Sequence, residues 1–251
     1  MPYQFVPEKA DYTDFASGRV FYNAPGHPAF PVRLVDEMFQ RALALRRANG
    51  QTGPVTLYDP CCGAAYHLAV LGYLHGPALA TIIASDVDGE ILNVARRNLA
   101  LLTPTGLAQR LNELETLAAQ FGKESHRAAL ETVARFQHIL QDQKPIPTHL
   151  FQADATQPAE ITPHLPTHPV DLVLTDVPYD QHTTWHLPAA LRASSQSPVW
   201  HLLDALQPTL SRHTLLALAA DKGQKIAHEA YQRLARFQIG KRHMVFLRLH
   251  L

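Results

Sequence analysis

Apolar positions along this chain alternate between two kinds of pattern. Val55-Thr56-Leu57-Tyr58, Ala80 to Ser85, Thr148 to Gln152, Val170 to Leu174, His213 to Ala219 and Met244 to Leu249 are runs too short for helices, bounded by turn residues and rich in β-branched and aliphatic side chains. Such runs predict strands, the inner ones buried on both faces. Between them, Leu34 to Ala48, Tyr66 to Leu74, Glu90 to Leu101 and Val199 to Leu206 carry helical patterns. The first stops at Asn49-Gly50, and Asp88 is placed to cap the third. Residues 231 to 239 satisfy both periods in part, because Tyr231, Leu234, Ala235 and Phe237 partly fit a helix while Phe237 and Ile239 alternate. Strands alternating with helices predict an α/β fold around an open sheet.

Two stretches break the alternation. Residues 104 to 146 read as helix from Thr105 to Phe121, a break at Gly122-Lys123, and helix again from Glu124 to Gln143. That is too long for a simple crossover and predicts an inserted helical hairpin. Residues 1 to 31 are irregular, aromatic and proline-rich, which predicts an arm folded down onto the body. A sharper option is a lid over the site, with Arg19 or Arg33 meeting a carboxylate or phosphate. With 251 residues and 46% hydrophobic content, one domain spanning 1–251 is expected, with an arm and first helix over 1–50 and the insertion over 104–146.

Charge and cysteine content narrow the function classes. Lys and Arg number 22 against 22 Asp and Glu, so no global field advertises a polyanion partner. The two cysteines, Cys61 and Cys62, are adjacent and can build neither a disulfide framework nor a CxxC zinc site, which fits a reducing cytoplasm. The first residues lack a basic cap followed by an apolar core, and nowhere do about 18 apolar residues run together, so an untargeted chain with no membrane span is expected.

Candidate chemistry lies at the strand ends, where open α/β sheets collect ligands. The stretch Val170-Asp171-Leu172-Val173-Leu174-Thr175-Asp176-Val177-Pro178-Tyr179-Asp180 is a strand delivering a polar tip. A carboxylate at Asp176 beside a proline-fixed carbonyl at Val177-Pro178 offers two acceptors for an exocyclic amine, and the Tyr179 ring offers a stacking face for a flat base. An ordinary turn is the plain alternative. The first strand runs into Asp59-Pro60-Cys61-Cys62-Gly63-Ala64-Ala65, a tight turn opening a helix, with only one glycine of a G-x-G-x-x-G fingerprint. NAD therefore loses ground, and an acid there better suits a ligand with a cationic end. Nothing in the sequence places a base to activate Cys61 or Cys62, so both are expected as packed turn residues. Asp86, 27 positions after Asp59, ends the second strand where such folds hold a ribose by its hydroxyls. Asp154-Ala155 after the third strand could take an adenine amino group or simply form a turn.

The remaining charged groups divide unevenly. In the helical insertion Arg110, Lys123, Arg127, Arg135 and Lys144 balance five acids, which reads as a solvated face. Between 222 and 248, by contrast, Lys222, Lys225, Arg233, Arg236, Lys241, Arg242 and Arg248 face one acid, Glu229, a local surplus suited to tracking phosphates. Residues 181 to 198 show no periodicity and read as a mobile substrate loop. His182 and His186 there lack the acid and helix of an HExxH site, so no metal is expected.

Asp59-Pro60-Cys61-Cys62-Gly63, Ile83-Ala84-Ser85-Asp86-Val87-Asp88, Ala153-Asp154 and Leu174-Thr175-Asp176-Val177-Pro178-Tyr179 resemble, in order and spacing, the motifs of class I S-adenosylmethionine methyltransferases. Phe15 to Val20, Pro28 to Leu34, Asn98 to Leu102 and the insertion resemble more specifically the AviRa family of avilamycin-resistance methyltransferases, which act on a guanine of large-subunit ribosomal RNA. The resemblance implies a Rossmann-like seven-stranded sheet whose last two strands form a hairpin, which favours a strand over 231 to 239. It implies S-adenosylmethionine held by Asp59, Pro60, Cys61, Gly63, Asp86, Val87, Asp154, Ala155 and Asp176, and a target nitrogen presented by Asp176, Val177, Pro178 and Tyr179. It implies ribosomal RNA or the large subunit as partner, met through Lys222, Lys225, Arg233, Arg236, Lys241 and Arg242, by a monomeric cytoplasmic enzyme that could confer resistance to orthosomycins. Two positions depart from the pattern: Ala65 where a second glycine is usual, and Asp180 where glycine tends to follow the tyrosine. If position 65 needs a positive φ, alanine adds strain of about 1 kcal/mol. A methyltransferase for a small amine or protein amide, and a non-catalytic cofactor-fold protein, are the competing classes.

Overall fold

Strands β1 (Val55–Asp59), β2 (Leu79–Asp86), β3 (Thr148–Gln152), β4 (Leu172–Asp176), β5 (Leu215–Asp221), β6 (Tyr231–Ile239) and β7 (Arg242–Leu249) form one sheet in the order β3-β2-β1-β4-β5-β7-β6. These come from a computed structural model describing residues 3–8, 10–16, 18–26, 29–167, 170–178 and 185–250. The first five strands pair in parallel, and β7 runs antiparallel between β5 and β6. The sheet is therefore the Rossmann-like class I methyltransferase arrangement that the sequence resemblance implies. Every residue of β1 is buried, as a central strand covered on both faces requires.

The ambiguous stretch 231–239 is a strand throughout. A register shift between Arg233 and Ala235 inserts a bulge against β7, so that Leu234 and Ala235, though adjacent, both pack on one core. That bulge breaks the two-residue period and mimics helical spacing.

Helices cover both faces. On one lie α1 (Val32–Ala48), α2 (Tyr66–His75), α3 (Gly89–Ala100), α4 (Pro104–Phe121) and α5 (Glu124–Asp142). On the other lie α6 (Pro158–Ile161) and α8 (Pro198–Leu206), with the single turn α7 (Ala189–Arg192) in the connection before α8. Strand alternation sorts side chains between them: Leu172 and Leu174 join the first core, Val173 and Val177 the second. Asp88 caps α3 by accepting from the Glu90 and Ile91 amides, as its position predicted.

Residues 11–16 and 18–24 of the arm are clasped between the sheet's helices and the insertion. Phe15 and Phe21 pack on Phe136 of α5, with ring centroids 5.5 and 5.7 Å away. Arg110 of α4 is buried and donates to the Val20 carbonyl (2.8 Å), while Glu113 accepts from Arg110, Arg97 and the Tyr22 hydroxyl. Asp14 is held by Thr132 and Arg135 of α5. The solvated face expected for the insertion is thus corrected in part, since Arg110, Glu113 and Arg135 anchor the arm. Arg19 pairs with Asp14 (3.7 Å) and Arg33 donates to the Val6 and Pro7 carbonyls, which are structural roles.

The clasp reaches the site through Asn98, which is fully buried on α3. Its amide nitrogen donates to Tyr22 O (3.1 Å) and Ala64 O (2.9 Å), and its oxygen accepts from Tyr22 N (2.8 Å). Replacing it by alanine strands two carbonyls and an amide. Asn98→Ala is expected to cost about 2–3 kcal/mol, several degrees in Tm for a chain of this size, in denaturant and thermal unfolding. A loss below about 0.5 kcal/mol would show that the three bonds do not hold the arm to the turn.

Candidate active site

Because β1 to β4 are parallel, their carboxyl ends share one edge. Asp59 ends β1, Asp86 ends β2, Asp176 ends β4, and Asp154 follows β3 by two residues. The four acids expected to share a rim do share one. Cys61 lies among three of them: burial and the charges of Asp59, Asp86 and Asp154 hold its thiol well above the usual range, as burial does for Cys62. Both thiols stay protonated, which suits turn residues and not nucleophiles.

The turn after β1 is bonded to the end of β2. Cys62 N donates to Ser85 O (2.9 Å) and Gly63 N to the Asp86 carboxylate (2.8 Å), so the ends of β1 and β2 form one unit. Asp86 also accepts from Asp88 N (3.1 Å) and so joins the two loops. Asp59 differs more from expectation. Its carboxylate has no accessible surface, accepts from Cys61 N (3.0 Å) and lies 2.6 Å from His67 Nε2 on α2. A ligand's cationic end would meet a carboxylate already engaged, so Asp59 serves first as the turn's anchor. His67, packed against the Phe30 ring of the arm, was not singled out in the sequence; its only signal is the spacing from Asp59 to the first turn of the helix.

Ala65 has φ 51, the one positive φ among described residues other than glycine. The left-handed conformation costs alanine about 1 kcal/mol. Its methyl is fully buried in the first core, and burying a methyl-sized group recovers about 0.8 kcal/mol, so the departure from glycine is close to neutral. Gly63, at φ 52, has no heavy atom within 4 Å of where a Cβ would stand, leaving open space above the turn. Asp154 forms a tight turn in which one carboxylate oxygen accepts from Thr156 N (2.8 Å) and Oγ1 (2.7 Å). Ala155 is buried beside it.

Asp176 is the unusual group. Its side chain is 18% accessible, and Oδ1 is buried without a hydrogen-bond partner among the described residues. The Arg242 guanidinium stands 3.9 Å from its other oxygen. Burial outweighs that attraction, and nearby Asp59 adds repulsion, so the Asp176 carboxyl is pushed up to about 8. A carboxyl of that kind is protonated at neutral pH and ready to exchange a proton or hydrogen bond with a ligand. Val177 N is spent on Ala219 O (3.0 Å), and the Pro178 carbonyl accepts from Gln224 Nε2 (2.9 Å). The turn is thereby fixed by Gln224, which no sequence signal marked. Tyr179, Asp180 and His182 lie outside the described residues.

The six cations expected to meet RNA divide among three places. Lys222, Lys225, Arg233 and Arg236 line one cleft with His243 and Val245. On β7 these two residues alternate with Met244 and Phe246, which face the other core, and Arg242 follows that second face to Asp176 and the Phe30 ring. Lys241 is exposed in the hairpin turn, its carbonyl bound by Lys222 N (2.8 Å). Arg242 therefore stands apart from the other four, beside Asp176 at the carboxyl ends of the strands.

Among the described residues no three His, Cys, Asp or Glu side chains cluster as a metal site, and no helix is long and apolar enough to cross a membrane. Comparison with known proteins gives concordant matches. The family model described as rRNA methyltransferase AviRa matches residues 1–242. A 23S rRNA (guanine(2535)-N(1))-methyltransferase from Streptomyces viridochromogenes is 41% identical over 249 residues, 98% of this chain and 95% of that one. The solved structure of rRNA methyltransferase aviRa from the same organism is 40% identical, with a TM-score of 0.86 covering 99% of this chain and 96% of that one. TrmN from Thermus thermophilus, 15% identical with a TM-score of 0.50 over 90% of this chain and 51% of its own, shares the fold alone. The open turn at Gly63 and the acids beyond β2 and β3 fit S-adenosylmethionine, the cofactor of this enzyme class.

Asp176 also makes stability depend on pH. Its folded value lies far above the ordinary 3.8, so between about pH 4 and 8 the native protein holds a proton that the unfolded chain has lost. Stability must fall as pH rises across that window. Asp176→Asn removes the penalty, and its advantage over the wild type in denaturant unfolding is expected to widen from pH 4 to 8, reaching a few kcal/mol, then level off. A constant difference would mean that the carboxyl titrates normally.

Proposed function

The chain belongs to the AviRa rRNA methyltransferase family, and from that membership we infer that its target is the N1 nitrogen of a guanine. The reaction is S-adenosylmethionine-dependent methylation of a guanine in 23S ribosomal RNA. The observation that carries the mechanism is Asp176, a carboxyl kept out of water at the rim with one oxygen lacking a partner among the described residues.

Guanine presents N1–H and an exocyclic NH2 side by side, two donors on one edge. The proposed acceptors for that edge are Asp176 and the Val177 carbonyl, the Pro178 carbonyl being engaged by Gln224. N1 carries a proton at neutral pH and has no available lone pair in the ring plane until that proton leaves. We assign Asp176, in its ionised form, to receive it, with Val177 holding the amine and Tyr179 the ring plane. S-adenosylmethionine supplies the electrophilic methyl group when bound. The proposed cofactor contacts are Asp86 and Val87 for the ribose, Asp154 and Ala155 for the base, and the Pro60-Cys61-Gly63 turn, anchored by Asp59, for the remainder. Arg242 positions Asp176 by favouring its charged form.

The proposed partner is the large subunit or its RNA, met by a monomer acting as one domain in the cytoplasm. Resistance to an orthosomycin such as avilamycin is the proposed consequence. No described observation favours a small amine or a protein amide over RNA.

Asp176→Ala should lower kcat for 23S rRNA methylation by at least about a hundredfold while calorimetric S-adenosylmethionine affinity stays within a few fold. The wild-type kcat should rise with pH up to about 8, since the ionised carboxyl is the working form. Retained methylation in the variant would remove Asp176 from the reaction.

A further inference from the structure

The cleft beside the β6–β7 hairpin plays no part in the chemistry just described. It has a volume of about 280 Å³, and Lys222, Lys225, Arg233 and Arg236 line it with no Asp or Glu among the described residues of its wall. A water takes about 30 Å³, so the space holds a phosphate group and its nearest waters. The two acids nearest in sequence, Asp221 and Glu229, are not part of the wall and each accepts a hydrogen bond. Asp221 accepts from Gly223 N (3.0 Å), and Glu229 accepts from the Trp200 indole (2.9 Å).

His243 adds a second, independent sign. Its Nδ1 lies 3.2 Å from Arg236 Nη2, and a guanidinium can only donate. Nδ1 must then be the acceptor, which puts the ring proton on Nε2. That Nε2–H is buried and finds no partner among the described residues. A buried donor lacking its acceptor, beside four cations with no acid in the described wall, calls for an anion.

The cleft is also wired to the target turn. Gln224 is part of its wall, and the same side chain donates to Pro178 O (2.9 Å) while accepting from Asp221 N (3.2 Å). Resting on the rRNA methylation reading above, we propose that this cleft binds a backbone phosphate of the strand carrying the target guanine, and that Gln224 transmits its occupancy to the turn bearing Asp176. Flipping a base out of folded RNA costs a few kcal/mol, and a fixed phosphate on the same strand both offsets that cost and sets the register of the base.

The test uses the full chain, a 23S rRNA fragment and labelled S-adenosylmethionine, measuring RNA binding and methylation separately. Arg233→Ala with Arg236→Ala should weaken RNA binding and raise the RNA KM by about 10- to 100-fold. The logarithmic salt dependence of binding should flatten by about 0.7–0.9 for each phosphate that is no longer neutralised, with S-adenosylmethionine affinity unchanged and any fall in Tm confined to the pair that strands His243 Nδ1. Lys222→Gln with Lys225→Gln serves as a second pair for the same readout. Gln224→Ala should instead lower kcat by about tenfold while the RNA KM stays within about twofold. Folded variants of both pairs with wild-type RNA affinity and salt slope would overturn the phosphate site, and an unchanged kcat in Gln224→Ala would overturn the link. RNA binding that depends on the cleft without methyl transfer by the wild type would instead overturn the enzymatic reading and leave the phosphate site standing.

Discussion

Burial of the Asp176 carboxyl at the edge of the sheet constrains everything around it. A charge withdrawn from water costs several kcal/mol unless it is compensated, and Arg242 at 3.9 Å compensates only in part. The native state therefore keeps the carboxyl protonated at neutral pH, at a cost to stability that the rest of the sheet must carry. β4 is suited to carry it, lying between β1 and β5 with Leu172 to Leu174 almost wholly buried. A group held this way favours a substrate that brings its own donor, and a guanine edge brings two.

Support for that arrangement comes from far along the sequence. The insertion clasps the arm through Arg110, Glu113 and Phe136, and Asn98 passes the restraint to the Ala64 carbonyl and so to the cofactor turn. Gly63 and Asp86 then tie that turn to β2. Phe30 of the arm meets both His67, which holds Asp59, and Arg242, which faces Asp176. Arm and insertion thus act as a scaffold for two loops that the bare sheet would leave less restrained.

Much of this was legible in the residues. Buried strand runs, the Asp88 cap, the hairpin insertion and the four rim acids follow from period, length and turn chemistry, and the position of the acids follows from parallel strands sharing one edge. What stayed hidden depends on long-range geometry. The β6 bulge imitated a helical period, so only the resemblance to the methyltransferase family favoured a strand there. Asp59 read as a ligand group because its partner His67 becomes a neighbour only when α2 turns back over β1. Arg242 read as one of a basic run because alternation on β7 sends it to the opposite face from His243. The charged insertion read as solvated because nothing local reveals that an arm about 90 residues earlier lies across it.

The basic run between 222 and 248 was legible despite net neutrality, since a chain of zero formal charge can still concentrate cations beside one loop. The account as a whole requires that the acidic rim act on one base in one RNA. Incubation of the protein with isotopically labelled S-adenosylmethionine and unmodified 23S rRNA, followed by nuclease digestion and mass spectrometry, tests this directly. The account predicts a single methylated guanine bearing the label on N1. A label on the exocyclic amine, on another base, or absent from the RNA altogether would contradict it.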